Sequence, residues 1–148
     1  MTIANDQRPT TNDPMPDTFQ LEIVTPSRLL VKDAAEEAQI PGASGYLGIL
    51  PGHAPLLTEL GVGEISYKSG GTMHTLAVAW GFAEVLPDKV TILAEAAERP
   101  QEIDVARAQK AKERAEQRLK SNAAEVDYAR AEDALRRAET RLDVAKEK

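Results

Sequence analysis

The sequence predicts an all-β N-terminal domain, a sandwich of about ten strands in two sheets, followed by a C-terminal antiparallel pair of helices. Two observations support this. All nine glycines and all nine prolines fall within residues 1–100, and residues 101–148 contain none. Residues 1–100 carry 6 basic and 13 acidic side chains, whereas residues 101–148 carry 12 and 11. Because glycine and proline punctuate turns and interrupt helices, we expect the sandwich at 17–99 and the helices at 100–148.

An uncharged stretch at residues 38–58 forms the centre of the predicted β domain. It contains no Asp, Glu, Lys or Arg, so its length alone would suggest a membrane span. Pro41, Pro51 and Pro55 exclude that interpretation, because a spanning helix must satisfy its backbone hydrogen bonds internally. The glycines of the stretch permit tight turns. The segment therefore predicts short apolar strands joined by turns.

The other β elements follow from alternation and turn residues. Residues 1–16 are polar and contain three prolines, which predicts a disordered tail. Phe19, Leu21 and Ile23 alternate with polar residues, the pattern of a half-buried strand. Turn residues separate further short strands, which we predict at 29–31, 36–40, 64–68, 72–79, 82–86 and 89–94. Many short strands without a helical period indicate a sandwich or flattened barrel.

The C-terminal segment has a helical period and a seam made mostly of alanine. Helices are expected at about 103–120 and 123–146, with Asn122 as N-cap of the second helix and Glu125 as its capping-box partner. The seam consists of Ala108, Ala111, Ala115 and Leu119 on the first helix, and Tyr128, Ala131, Leu135, Ala138, Leu142 and Ala145 on the second. Alanine buries little apolar area, so the helices adhere weakly. The pair is either a movable element or a static cap.

No catalytic or metal-binding constellation is apparent. The chain has two histidines, His53 and His74, and no cysteine. His53 lies in a Pro-Gly-His-Ala-Pro turn, where a hydrogen bond to the backbone is the simpler explanation. The single Trp80 is expected in the core rather than on a binding surface. A net charge of −6 disfavours nucleic acid, and the first residues lack a signal-peptide core, so direct membrane insertion is not expected.

Basic residues on the helices have two interpretations. Asp104 and Arg107 are three residues apart, and Arg130, Arg137 and Arg141 form a stripe on the second helix. The simpler interpretation is an intrahelical ion pair with a solvated basic edge. The alternative is an anion site, or a patch that docks on an acidic partner.

Four motifs resemble the epsilon subunits of F-type ATP synthases. They are F-x-L-x-I-V-T-P at residues 19–26, G-x-L-G-I-L-P-G-H-A-P-L-L-T-x-L-x-x-G at 45–63, G-F-x-E-V at 81–85 and I-D-x-x-R-A at 103–108. The resemblance extends from about residue 17 to the end of the chain. It implies a ten-stranded sandwich with a helical hairpin, in agreement with the fold class predicted from the residue patterns.

The resemblance also implies a role. Members of this family are non-catalytic parts of the rotating central stalk, which couples proton-driven rotation to ATP synthesis. The sandwich holds the gamma subunit and rests on the c-ring, and the hairpin can extend into the alpha and beta subunits of the catalytic head to inhibit ATP hydrolysis. Some members bind ATP as a regulatory ligand, with no cofactor required. The implied location is peripheral, on the cytoplasmic face of the bacterial inner membrane.

Site residues follow by position. The regulatory ATP site would comprise Glu98, Asp104, Arg107, Ala108, Arg114, Arg137 and Arg141. The partner interface would comprise Gly45, Leu47, Leu50, Pro51, His53, Leu56 and Leu57, and the inhibitory basic face Arg130, Arg137 and Arg141. Without the resemblance, the alternative is a stand-alone sandwich that acts as a binding or adaptor module.

Overall fold

A computed structural model describes residues 17–147 and confirms the predicted fold class; the tail predicted at residues 1–16 lies outside the described residues. Seven strands precede two helices, with a short 3₁₀ turn (Pro100–Glu102) between them. The strands are β1 (Phe19–Val24), β2 (Leu29–Ala35), β3 (Glu37–Gly42), β4 (Gly45–Ile49), β5 (Leu56–Ser69), β6 (Thr72–Val85) and β7 (Lys89–Glu98). The helices are α1 (Val105–Lys120) and α2 (Tyr128–Ala145).

The strands form one open sheet that curls back on itself. Its order is β2-β1-β7-β6-β5-β3-β4, in which β1 and β7 are parallel and the other neighbours antiparallel. Strand β2 returns to the end of β5, where the hydroxyl of Tyr67 donates to Asp33 over 2.8 Å and that of Ser69 donates to the carbonyl of Ala34 over 2.8 Å. The curled sheet thus provides both layers of the sandwich.

The strand count corrects the prediction of about ten strands in two sheets. The segments expected at 72–79 and 82–86 are a single 14-residue strand, β6, bent at Trp80 and Gly81. Both residues have positive φ, 59° and 121°, and the ladder skips the pair of Trp80 with Gly61. The ladders with β5 and β7 continue on both sides of this bend, so it lies within one strand.

The kink changes which side chains face the core. Along β6 the core residues are Leu76 and Val78 before the kink, and Ala83 and Val85 after it. Odd-numbered residues therefore replace even-numbered ones on the inner face. Trp80 itself is only half-buried at the bend, so the prediction that it lies in the core is wrong.

The main core lies between the layers and contains the predicted inward face of the first strand. Phe19, Leu21 and Ile23 are all fully buried, as are Val90 and Ile92 of β7. A second, smaller cluster joins Ala77 of β6 to Ile103, Val144 and Ala145. This cluster fixes the end of α2 against the outer face of the sheet.

The helical pair is an antiparallel hairpin whose seam contains the predicted alanines, but Tyr128, predicted in the seam, is 43% exposed. Ala108, Ala115, Ala131 and Ala138 are each at most 3% exposed. The start of α2 at Tyr128 corrects the expected start at 123. Its N-cap is Asp127, whose carboxylate accepts a hydrogen bond from the backbone N–H of Arg130 over 3.1 Å, and not Asn122. An Asp at this position satisfies one of the unpaired N–H groups of the first turn, and residues 122–126 remain a loop.

The hairpin is docked on the sandwich. Helix α2 lies across β5 and β6, and α1 packs on α2. None of the helices in residues 17–147 combines the length and apolar character needed to cross a membrane.

Candidate functional site

Three of the predicted nucleotide residues meet where the hairpin docks. Glu98 ends β7, and its carboxylate accepts a hydrogen bond from Nε of Arg141 on α2 over 2.5 Å. Arg137, one turn earlier on α2, lines the same cavity together with Val62 of β5. This cavity has a volume of about 10 Å³, room for roughly one water. In the docked state the arginines are therefore engaged with the sandwich.

The other predicted nucleotide residues lie on α1. Asp104 is the N-cap of this helix, and its carboxylate accepts from the backbone N–H of Arg107 over 3.0 Å. The expected ion pair between these two side chains is thus replaced by a backbone cap. Ala108 is buried in the seam, while Arg107 and Arg114 are exposed. Within residues 17–147 no contact joins these exposed guanidinium groups to Glu98.

The basic stripe of α2 is divided by docking. Arg130, near the start of the helix, is exposed. Arg137 and Arg141 are half-buried and face the sheet. The three residues do not present one basic face to solvent while the hairpin is docked. Such a face requires the hairpin to leave the sheet.

The predicted partner interface lies largely at one end of the sandwich. The turn at residues 50–55 is held by hydrogen bonds from the N–H of His53 to the carbonyl of Leu50 (3.1 Å) and from the N–H of Gly52 to that of Pro87 (2.8 Å). Nδ1 of His53 lies 2.7 Å from the carbonyl of Ala54, the backbone contact expected from its turn. Beside this turn Leu57 is 70% exposed.

The predicted set is not a single surface. Leu50 (61% exposed), Leu56 and Leu57 are exposed in the turn and at the start of β5, and Pro51 and His53 between them are half-buried; these five residues are called the apolar end patch. Gly45 and Leu47 belong to the edge strand β4, where Leu47 packs against the core. Strand β4 does not extend the apolar end patch.

Sequence reasoning missed a further apolar surface. Phe82 of β6 and Leu93 of β7 form a cross-strand pair on the outer face, and each is about half exposed. Leu57 lies on the same face, since it pairs with Glu84, two residues from Phe82. The available signal was the alternation of β7: if Ile92 and Ala94 point inward, Leu93 must point outward. A row of apolar side chains on an outer face is a mark of a protein partner.

Ionic contacts fix the point at which the hairpin leaves the sandwich. The carboxylate of Glu102 accepts from the backbone N–H of Arg99 over 2.9 Å and pairs with the guanidinium of Arg28. Burial acts to raise the pKa of Glu102, but these donors outweigh it and hold the pKa below its usual value. Among residues 17–147 no group of three or more His, Cys, Asp or Glu side chains is placed to hold a metal ion.

Comparison with known proteins gives a consistent result along the whole described chain. Residues 18–100 match the family described as "ATP synthase, Delta/Epsilon chain, beta-sandwich domain", and residues 101–146 match its "long alpha-helix domain". An ATP synthase epsilon chain from Koribacter versatilis is 74% identical over 108 residues, which are 73% of this chain and 76% of that protein. An epsilon chain from Solibacter usitatus is 53% identical over 102 residues, 69% of this chain and 76% of that one.

Solved structures of ATP synthases contain chains with the same fold. A chain of the Euglena gracilis mitochondrial ATP synthase, in a structure of its OSCP/F1/c-ring assembly, superposes with a TM-score of 0.77 at 25% identity, covering 91% of this chain and 85% of that chain. A chain of the central stalk and c-ring of the Tetrahymena thermophila enzyme has the same fold, with a TM-score of 0.54 at 13% identity, over 87% and 94% of the two chains. The fold, both domain matches and these identities show that the chain belongs to the delta/epsilon chain family of ATP synthases.

Proposed function

We propose that this chain is a non-catalytic rotor subunit of a proton-translocating ATP synthase, and that it couples rotation to ATP synthesis in the catalytic head. The family supports this proposal, as does the Euglena neighbour, whose structure contains F1 and a c-ring. Its partners are then the gamma subunit, the c-ring and the alpha and beta subunits. Its location is the cytoplasmic face of the bacterial inner membrane, as a peripheral subunit.

The sandwich supplies the contacts with the rotor in this proposal. The apolar end patch and the outer pair Phe82 and Leu93 are exposed to water in the isolated chain. In this proposal a rotor subunit covers these apolar residues. The stand-alone adaptor module is the second candidate. Co-purification separates the two: the tagged chain brings down gamma and the head subunits if it is a rotor subunit, and neither if it is an adaptor.

The hairpin regulates ATP hydrolysis in this proposal. The observation that carries it is the composition of its contact with the sandwich: within residues 17–147, a small apolar cluster and one ion pair, from Glu98 to Arg141. Release would free Arg137 and Arg141 to join Arg130 on an exposed basic face, suited to acidic surface in the head.

Deletion of residues 101–148 tests this regulation. The deletion leaves the apolar end patch intact, so we expect the shortened chain to assemble with the head and to raise its ATP hydrolysis rate. The measurement compares steady-state ATPase activity of heads carrying the full and the shortened chain. Equal rates at equal occupancy would show that the hairpin does not inhibit.

ATP is proposed as a regulatory ligand of the docked hairpin, held by Glu98, Arg137 and Arg141 together with Asp104, the N-cap of α1, and Arg107, Ala108 and Arg114 of that helix. The chemistry is favourable because guanidinium groups bind phosphate through paired hydrogen bonds. The small cavity adds a condition: phosphate must displace the carboxylate of Glu98 from Arg141.

Calorimetric titration of the isolated chain with ATP tests the nucleotide site. We expect saturable heat that is lost in Arg141→Gln, which removes the proposed phosphate partner, and retained in Arg136→Gln, an exposed position on the same helix. No heat at millimolar ATP would remove nucleotide binding and leave the rotor assignment untouched.

A further inference from the structure

Helix α2 lies across β5 and β6, and this brings acidic residues of α2 and β5 together. Val62 of β5 shares a cavity with Thr140 and Arg141 of α2. Glu64 follows two residues later on the same face of β5, and one turn later α2 presents Asp143 and Val144. Val144 is fully buried in the cluster with Ala77, the residue that pairs with Glu64 in the ladder. Glu64 therefore lies at the edge of the apolar contact that docks the hairpin.

The charges around this contact are mostly of one sign. The charges of Asp143 and Glu147, at the C-terminal end of α2, act on Glu64, and the helix dipole adds partial negative charge there. Lys146 pairs with Asp143 over 3.7 Å, but both side chains are largely exposed, at 77% and 68%, so the pair neutralises little.

The remaining neighbours of Glu64 do not supply a cation. On β3, β4 and β5 they are Gln39, Tyr46 and Ser66, which line a shallow cavity with it. The nearby cations are engaged elsewhere: Lys68 pairs with Glu36, and Arg141 with Glu98. Within residues 17–147 no ion pair neutralises the carboxylate of Glu64.

The surroundings of Glu64 favour its neutral form while the hairpin is docked. Burial raises the pKa of Glu64 above the ordinary value of 4.5, and the charges of Glu147 and Asp143 raise it further. Undocking removes the helix and its two carboxylates, so the pKa returns toward the ordinary value. A group with a raised pKa in the docked state favours docking fully below the ordinary value and loses that contribution as the pH rises through the raised one.

We propose that the contact between hairpin and sandwich is a pH-sensitive latch, in which ionisation of Glu64 beside Asp143 and Glu147 loosens α2 from the sheet. The ion pair of Glu98 with Arg141 holds the hairpin, and the three carboxylates oppose it. Protonation of Glu64 removes the opposition. This property belongs to the isolated chain and requires neither ATP nor the catalytic head, so it goes beyond the proposed regulation of hydrolysis.

Energy transfer between two dyes measures the latch directly. The chain has no cysteine, so Ser44→Cys in the loop between β3 and β4 and Glu132→Cys on α2, both exposed, give two unique labelling sites. We expect high transfer at pH 5 and a fall as the pH rises to 8, corresponding to a several-fold drop in the docking equilibrium constant. Far-UV circular dichroism over the same range verifies that the chain stays folded.

Glu64→Gln is the decisive variant, because glutamine keeps the size of the side chain and cannot ionise. We expect it to dock more firmly than the parent at pH 8, with a transfer that does not fall between pH 5 and pH 8. Glu59→Gln, on β5 opposite Phe82, is the matched control and should keep the parent profile. Glu98→Gln should lower transfer at every pH, which verifies that the dyes report release.

Two results would overturn the latch: a parent chain whose transfer is constant from pH 5 to 8, or a Glu64→Gln profile that matches the parent. Both are separable from the proposed regulation of hydrolysis. A hairpin that docks independently of pH can still inhibit the head, and a pH-sensitive hairpin can lack any effect on ATPase activity.

Discussion

Replacement of Gly81 by alanine is expected to destabilise the chain by about 4 kcal/mol or more, a range reached only by severe backbone or core disruption. Gly81 lies at the kink with φ of +121°, a conformation that side chains rarely adopt. An added Cβ would overlap the carbonyl oxygen of Leu93 on the neighbouring strand and lie 3.0 Å from Cα of Ala94. Because the obstacle is backbone in a central ladder, it cannot rotate away. Urea unfolding followed by the fluorescence of the adjacent Trp80 measures the loss.

Gly45→Ala separates conformational strain from overlap. Gly45 has φ of +137°, and an added Cβ would meet nothing within 4 Å. Strain alone costs roughly 1–2 kcal/mol for a residue forced into positive φ. We therefore expect Gly45→Ala to lose far less stability than Gly81→Ala. Equal losses would mean that the kink tolerates a side chain and that the strands can separate at Leu93.

Ala138→Leu is expected to open the hairpin while the sandwich remains folded. Ala138 is 1% exposed in the seam between α1 and α2, where the helices are close enough for a methyl group and little more. Larger side chains in a packed interface typically cost about 1–3 kcal/mol. The seam buries only alanines at its centre, so this cost is large relative to its adhesion. Backbone amides of both helices should exchange with solvent about 5- to 150-fold faster.

Ala129→Leu is the matched control for the seam. Ala129 lies on the same helix and is exposed, so leucine there changes helix propensity little and contacts no facing helix. Its exchange rates should stay at the parent values, as should those of β1 and β7 in both variants. Unchanged helix exchange in Ala138→Leu would show that the helices have room to spare, against the tight seam described above.

The elements that the sequence predicts well are those governed by local pattern. Phe19, Leu21 and Ile23 lie inward because alternation in a strand assigns a face without knowledge of the partner. The alanine seam follows equally from the helical period. The bend at Trp80 was not predictable in this way: the pair Trp80-Gly81 reads as a break, and only the neighbouring ladders show that β6 continues through it.

Among the candidate sites, too, local features are predicted well and features that depend on distant contacts are not. The prediction of a turn around His53 is confirmed, because prolines and glycine set the backbone conformation of their own segment. The start of α2 was wrong because Asn122 and Asp127 are both acceptable caps, and the choice between them depends on how the loop spans the two helices. Glu64 was not recognised at all, since its carboxylate neighbours are about 80 residues away in the chain and meet it only when α2 docks.

The parallel pairing of β1 with β7 has a consequence for how the chain is made. Strand β1 pairs with β2 early, but its second neighbour lies roughly 70 residues downstream, since Gln20 pairs with Lys89. The sandwich therefore cannot complete until its last strand leaves the ribosome. Residues 101–148 follow β7 in the chain, so they leave the ribosome after it. The sandwich is therefore finished first, and the hairpin meets an already folded surface. The order of synthesis thus favours a helical element that is added to the sheet and does not help to build it.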